Sequence, residues 1–251
     1  MLLEIDKLNL SFGGLKATNN VTIHMEAGKI NGLIGPNGAG KTTFFNLISG
    51  VYAPDSGSII FNGRHIEGKR PFEIHEAGIA RTYQVINLFK KMNVVENVMV
   101  GMHSCLKANY FTSLLRTKTQ RAEEASAREL AYDWLDFVNL RASATEAAGS
   151  LSYGQQRLLE IVRGLAGNPK LILLDEPAAG MNSREKEQLN ELLQKILAKG
   201  VTILIIEHDM KLMMNVADRI FVLNYGEKLA EGTAAEIQNN PDVVAAYLGG
   251  E

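Results

Sequence analysis

The chain has 251 residues, and its 26 Lys and Arg against 28 Asp and Glu give a formal charge of −2. A hydrophobic fraction of 46% and a charged fraction of 22% match an ordinary globular protein. They exclude a disordered chain, a collagen-like chain and a small disulfide scaffold.

The near-neutral balance offers no general surface for nucleic acid or anionic membrane. The lone Cys105 cannot close an internal disulfide, which fits a reducing cytosol. Glu4 and Asp6 stand where a signal peptide needs a positive start and an apolar core. No run approaches the ~18 apolar residues of a spanning helix, so the chain is expected not to cross a membrane itself.

In chain order, residues 2–12 and 21–26 alternate as strands, with Gly-Gly and Asn-Asn as turn residues between them. Residues 29–35 form a strand ending in glycine, which leads into a helix closing at Gly50. YAPDSG is a turn and SIIFNG a short strand. From about 85 to 150 strand signals fade. There Ala127, Leu130, Ala131, Trp134, Leu135 and Val138 follow the spacing of one buried helix face. Beyond Gly154, strands LILLD, VTILIIE and RIFVLN alternate with helices over 184–199 and 209–217. Apolar strands separated by helices imply an α/β fold with a parallel sheet covered on both faces. The opening strands suggest a β-rich lobe, and the middle third a helical insertion.

Three segments carry chemistry. Gly35, Pro36, Asn37, Gly38, Ala39, Gly40, Lys41 and Thr42 match G-x-x-x-x-G-K-[ST], with a strand before and a helix after, and Thr43 follows. Gly38 and Gly40 let the backbone wrap a phosphate chain, and the N–H groups of the helix start supply positive charge. Lys41 should reach the β- and γ-phosphates and the Thr42 hydroxyl a Mg²⁺ ion. Asp175 and Glu176 end a buried strand, where the Asp suits Mg²⁺ through water and the Glu suits orienting or deprotonating an attacking water. Ser152, Tyr153, Gly154 and Gln155 open a second helix, a candidate anion site or a plain N-cap. His103 and Cys105 make no complete zinc set.

The phosphate loop, Gln84, LSYGQQ, LILLDEP and His208 occur in the order and spacing of ABC-transporter ATP-binding subunits, which the chain resembles over its whole length. The resemblance implies a RecA-like P-loop NTPase core with an antiparallel β lobe, over 1–84 and 168–251, and a helical signature lobe over 85–167. It implies ATP and Mg²⁺ as ligands. Gln84 would contact Mg²⁺ and the attacking water, His208 the γ-phosphate, and Phe12 the adenine ring. Two such subunits close head to tail, so Ser152, Gly154 and Gln155 would meet the ATP held by the other subunit. Val85, Ile86, Leu88 and Phe89 would border the groove for a permease helix, or else be partly core.

Two departures resemble one subgroup, the ATPases of branched-chain amino-acid importers: Tyr153 in the signature, and Asn182 where most relatives have Asp. FGGLKA at 12–17, IEHDMKL at 206–212 and NNPDVVAAYLGGE at the C-terminus resemble the same subgroup. The implied partners are a related, non-identical ATPase, two membrane permeases and, indirectly, a binding protein, with this chain peripheral on the cytoplasmic face and no nucleic acid bound. Other cargoes stay open, namely urea or amides inward, and lipid or lipopolysaccharide outward. A soluble ATPase acting on ribosomes or DNA would usually pair two cassettes in one chain or carry a long coiled coil, which this length does not allow. A GTPase would carry NKxD and DxxG, and neither occurs.

Overall fold

The computed structural model describes residues 1–103 and 118–248. Cys105 and the last residues of the C-terminal ending lie outside them. β1 (Leu3–Phe12) and β2 (Leu15–Met25) form a hairpin closed at Gly13–Gly14. The turn expected at Asn19–Asn20 is absent, and β2 runs through it. Asn20 takes a positive φ of 55°, and the register slips between Leu8↔Val21 and Leu10↔Thr18. Asn tolerates that conformation, and Asn9 Oδ1 accepts from the Asn20 N–H at 2.8 Å, so the pair makes a bulge.

β3 (Ile30–Ile34) leads to α1 (Lys41–Ile48). β4 (Ser56–Phe61) and β5 (Arg64–His65) complete a four-stranded antiparallel sheet in the order β2-β1-β4-β5. After α2 (Pro71–Glu76), β6 (Ile79–Arg81) enters a six-stranded sheet ordered β10-β9-β3-β8-β7-β6. Its further strands are β7 (Leu171–Asp175), β8 (Thr202–Ile206), β9 (Arg219–Asn224) and β10 (Glu227–Gly232). Every pairing is parallel except that of β10 with β9. Every residue of β3, β7 and β8 is buried, as expected of strands covered on both faces.

Alternate side chains of these strands feed two cores. Leu33, Leu173 and Leu204 join Phe44, Phe45 and Phe61 under the antiparallel sheet. Ile34, Ile172 and Ile205 join the helices on the opposite face. There α3 (Val94–Gly101) packs on α4 (Lys118–Phe137) and α5 (Tyr153–Leu165). On α4, Ala127, Ala131 and Leu135 are buried, and Val138 just beyond it, but Leu130 is 53% exposed. The packed stripe runs through the two alanines, whose small side chains let the helices approach, and leaves Leu130 on its solvent flank. α6 (Ser183–Ala198), α7 (Met210–Val216), α8 (Ala234–Gln238) and α9 (Pro241–Leu248) follow. Among the described residues no helix is long and apolar enough to cross a membrane.

Candidate active site

β3 ends at Ile34, and the chain turns through Gly35, Gly38 and Gly40, all at positive φ, before Lys41 opens α1. The glycines differ in purpose. A Cβ on Gly35 would stand 2.1 Å from the Leu223 carbonyl, and one on Gly40 2.3 Å from that of Ala17. One on Gly38 would meet only open space, so Gly38 serves the turn and keeps the cleft side clear. No side chain caps α1 and no acidic residue lies in its first turn, which leaves its N–H groups and positive dipole end for a ligand.

Lys41 is only 7% exposed, and its Nζ donates to the Gly35 carbonyl at 2.7 Å and the Pro36 carbonyl at 2.9 Å. Burial pulls its pKa down, while the charges of Glu176 and Asp175 push it back up.

Asp175, the last residue of β7, is held by Arg81 from the end of β6 at 3.1 Å. Arg81 also donates to Asn46 Oδ1 and Ser49 Oγ, both at 2.7 Å, so one guanidinium ties the acid to α1. Burial pushes the Asp175 carboxyl above the usual aspartate value, and Arg81 opposes it.

Glu176 follows at φ 47°, a conformation disfavoured for a residue with a side chain, and its N–H donates to the Ile206 carbonyl at 2.9 Å. Its carboxylate accepts from Gln84 Nε2 at 3.1 Å and meets His208 Nε2 at 2.9 Å. Gln84 and His208, singled out from separate segments, therefore both contact Glu176.

They face a cleft of about 410 Å³ lined also by Phe12, Asn37, Gly38, Ala39, Gly40, Lys41, Thr42 and Thr43. Gly35 and Pro36 meet it through Lys41, and Asp175 stands behind Glu176 in sequence without lining it. Phe12 is exposed and edge-on to Tyr52, with ring centroids 5.3 Å apart.

Sequence reasoning missed Tyr225, which also lines the cleft and is 82% exposed. Tyr225 and Gly226 both take positive φ in the two-residue turn joining β9 to β10. Gly226 donates to the Ala39 carbonyl at 3.1 Å, which anchors the turn to the phosphate loop. Its signal was Asn-Tyr-Gly between two strand-sized runs.

Ser152, Gly154 and Gln155 do not line that cleft. Ser152 caps α5: its Oγ accepts from the Gln155 N–H at 3.3 Å, and its own N–H donates to Gln155 Oε1 at 3.0 Å. Asn182 caps α6 in the same way with Glu185. The two caps adjoin, since a Cβ on Gly154 would lie 2.3 Å from Glu185 Oε1.

Sequence reasoning also missed Arg157, which is fully buried on α5 and donates to the carbonyls of Tyr83 and Gln84, both at 2.7 Å. Its partner Glu160, at 2.8 Å, accepts from the Asn87 N–H at 3.0 Å. The loop carrying Gln84 is thus clasped to the helix that Ser152 heads. Of the apolar run beside it, Leu88 is buried and Ile86 packs on the core, whereas Val85 is 79% exposed and Phe89 is exposed.

Residues 18–179 match the family model described as ABC transporter, and residues 227–251 match that of the branched-chain amino acid ATP-binding cassette transporter. The chain is 46% identical over 249 residues to the high-affinity branched-chain amino acid transport ATP-binding protein LivG of Salmonella typhimurium, covering 99% of this chain and 98% of that one. The chain belongs to the ATP-binding subunits of ABC transporters. This subunit shows the same identity and coverage against the high-affinity branched-chain amino acid transport ATP-binding protein BraF of Pseudomonas aeruginosa. Its fold superposes on the ADP conformation of an ATP-binding cassette of an ABC transporter with a TM-score of 0.85, at 34% identity, covering 99% of this chain and 98% of that one.

The family implies ATP and Mg²⁺, and the residues fit both. The glycine cradle is open at Gly38, a buried ammonium stands at its base, and acceptor side chains gather beside it. Among the described residues no three His, Cys, Asp or Glu side chains form a metal cage. Mg²⁺ held by a hydroxyl, one carboxylate, phosphates and water needs none.

Proposed function

We propose that this ATP-binding subunit hydrolyses ATP as half of a head-to-tail pair and so drives uptake of leucine, isoleucine and valine through a membrane permease. One observation carries the pairing. The cleft assembles Lys41, Thr42, Gln84, Glu176 and His208, while Ser152 and Gly154 of the same chain lie outside it. A second subunit's Ser152 and Gly154 would complete the cleft. The cargo rests on the relatives, which are named as branched-chain amino acid transport proteins, and on the match of residues 227–251.

Lys41 exchanges the Gly35 and Pro36 carbonyls for phosphate oxygens, and the N–H groups of α1 receive the phosphate chain. Phe12 stacks on the adenine, with Tyr225 beside it. Thr42 and Asp175, with Gln84, would hold Mg²⁺, which when bound neutralises the β- and γ-phosphate charge. Glu176 accepts the proton of the attacking water, and His208 donates to the γ-phosphate. Gln84, clasped by Arg157, carries the state of the site toward the exposed Val85 and Phe89, where a permease helix docks. The working assembly has a related second ATPase, two permeases and an external binding protein, with this subunit on the cytoplasmic face.

Deleting the subunit in a strain with no duplicate, and measuring radiolabelled leucine uptake at low external concentration, tests the cargo. Uptake of leucine, isoleucine and valine should fall together. Unchanged uptake of all three, with loss of urea or lipid transport instead, would remove the cargo and keep the ATPase.

A further inference from the structure

Glu207 follows the last residue of β8, one position before His208, and is 4% exposed. A carboxylate so buried is costly unless it is fully hydrogen-bonded. Its partners are all backbone N–H groups. Oε1 accepts from Ala178 at 2.6 Å, Oε2 accepts from His208 at 3.2 Å, and the Asp209 N–H also bonds to it. Ala178 is itself buried in the loop that runs from Glu176 to the α6 cap at Asn182. One side chain therefore grips the two loops that flank the Glu176–His208 contact. Burial pushes the Glu207 pKa up and the nearby Glu176 charge adds to that rise, so this grip persists against an electrostatic cost.

We propose that Glu207 is a positioning residue for hydrolysis, whose carboxylate locks the loop after Glu176 to the loop carrying His208 and thereby sets their separation. It rests on the roles proposed above for Glu176 and His208. A Gln at 207 has the same shape but only one acceptor oxygen, and its NH₂ would point a donor at a backbone donor. The phosphate loop is untouched, so the loss should fall on turnover and not on ATP binding.

The test is steady-state hydrolysis by Glu207→Gln, His208→Ala and the double variant, with thermal melts alongside. Glu207→Gln should lower kcat at least about tenfold, with KM for ATP within about twofold. Adding Glu207→Gln to His208→Ala should cost no more than about a further twofold, because Glu207 acts through the contact that His208→Ala has already removed. Parental kcat, a KM that rises in step with the loss of kcat, or penalties that multiply would overturn the proposal. Glu207→Asp keeps the charge but not the reach to both loops, and it should show the same split if the Gln variant does not fold. If neither variant melts cooperatively, Glu207 is structural only and the proposal falls. Glu176→Gln run in parallel separates the two levels. Parental hydrolysis there removes the assigned base itself, whereas its loss beside a parental Glu207→Gln removes only the role of Glu207.

Discussion

The Glu176 carboxylate and His208 Nε2 stand 2.9 Å apart although 32 residues separate them in the chain. Sheet order explains the meeting. β7 and β8 are parallel neighbours in register at Asp175↔Ile206, so the segments leaving their C-terminal ends emerge side by side. The phosphate loop leaves β3, the neighbour on the other side of β8, at the same edge. Ligands of open α/β sheets bind at that edge, because only there do loops from several strands converge.

Gly154 and Glu185 link the signature to the α6 cap, which a methyl group can test. In Gly154→Ala the new Cβ would occupy the position of the Glu185 carboxylate and free the Asn182 N–H. Losing part of that capping box should cost about 1 kcal/mol, or about 2–4 °C in melting temperature at this size. Hydrolysis should fall at least about tenfold, while ATP affinity of the isolated subunit, set by the phosphate loop, stays within about twofold. Calorimetry and phosphate release check the two halves.

Asn182 departs from the commoner Asp, yet its side chain is occupied within its own chain, accepting from the Glu185 N–H at 3.0 Å. Asp caps a helix as well as Asn and suits the positive dipole end. Asn182→Asp should therefore melt like the parent, and its ATPase rate with the membrane subunits present should stay within about threefold. A larger loss of rate at unchanged stability would assign neutrality at 182 a role toward the partner's phosphates.

Much of this was legible in the residues, for local reasons. The glycine pattern of 35–42 and the apolar strands LILLD and VTILIIE state their conformation in their own composition. β10 did not, because EKLAEG has no β-branched residue and is a strand only through its pairing with β9. Without β10 the turn holding Tyr225 was invisible as part of the site. Leu130 kept helical spacing but lies beyond the helices packed on α4, which period alone cannot show. Arg157, Glu160 and Glu207 read as ordinary charged residues. Their importance lies in backbone partners that only the tertiary structure brings near.

Asp209 gives a pH signature. Its carboxyl is held below the ordinary aspartate value of 3.8, first by the hydrogen bond from Lys186 at 2.7 Å and then by the Leu212 N–H of the α7 cap. A depressed acid stabilises the fold above its unfolded pKa, and that stability is lost as pH falls through the folded value. Asp209→Asn keeps the cap and removes the ion pair. Its urea midpoint should be slightly lower than the parent's at neutral pH, and the difference should close below pH 3.8 and in high salt. A difference that persists in acid would trace the effect to the cap instead.

The pairing of two subunits around ATP is tested most directly by sizing Glu176→Gln with ATP and Mg²⁺ in a light-scattering column and measuring phosphate release on the same sample. Gln keeps the shape that faces Gln84 and His208 but cannot take a proton. Loss of a general base is worth about 10²–10⁴ in rate. The account predicts at least about a hundredfold slower release and a shift from monomer to dimer that needs ATP and disappears when Ser152 and Gly154 are also replaced. Release at the parental rate, or no ATP-dependent dimer with saturating ATP either alone or mixed with the related second ATPase, would contradict it.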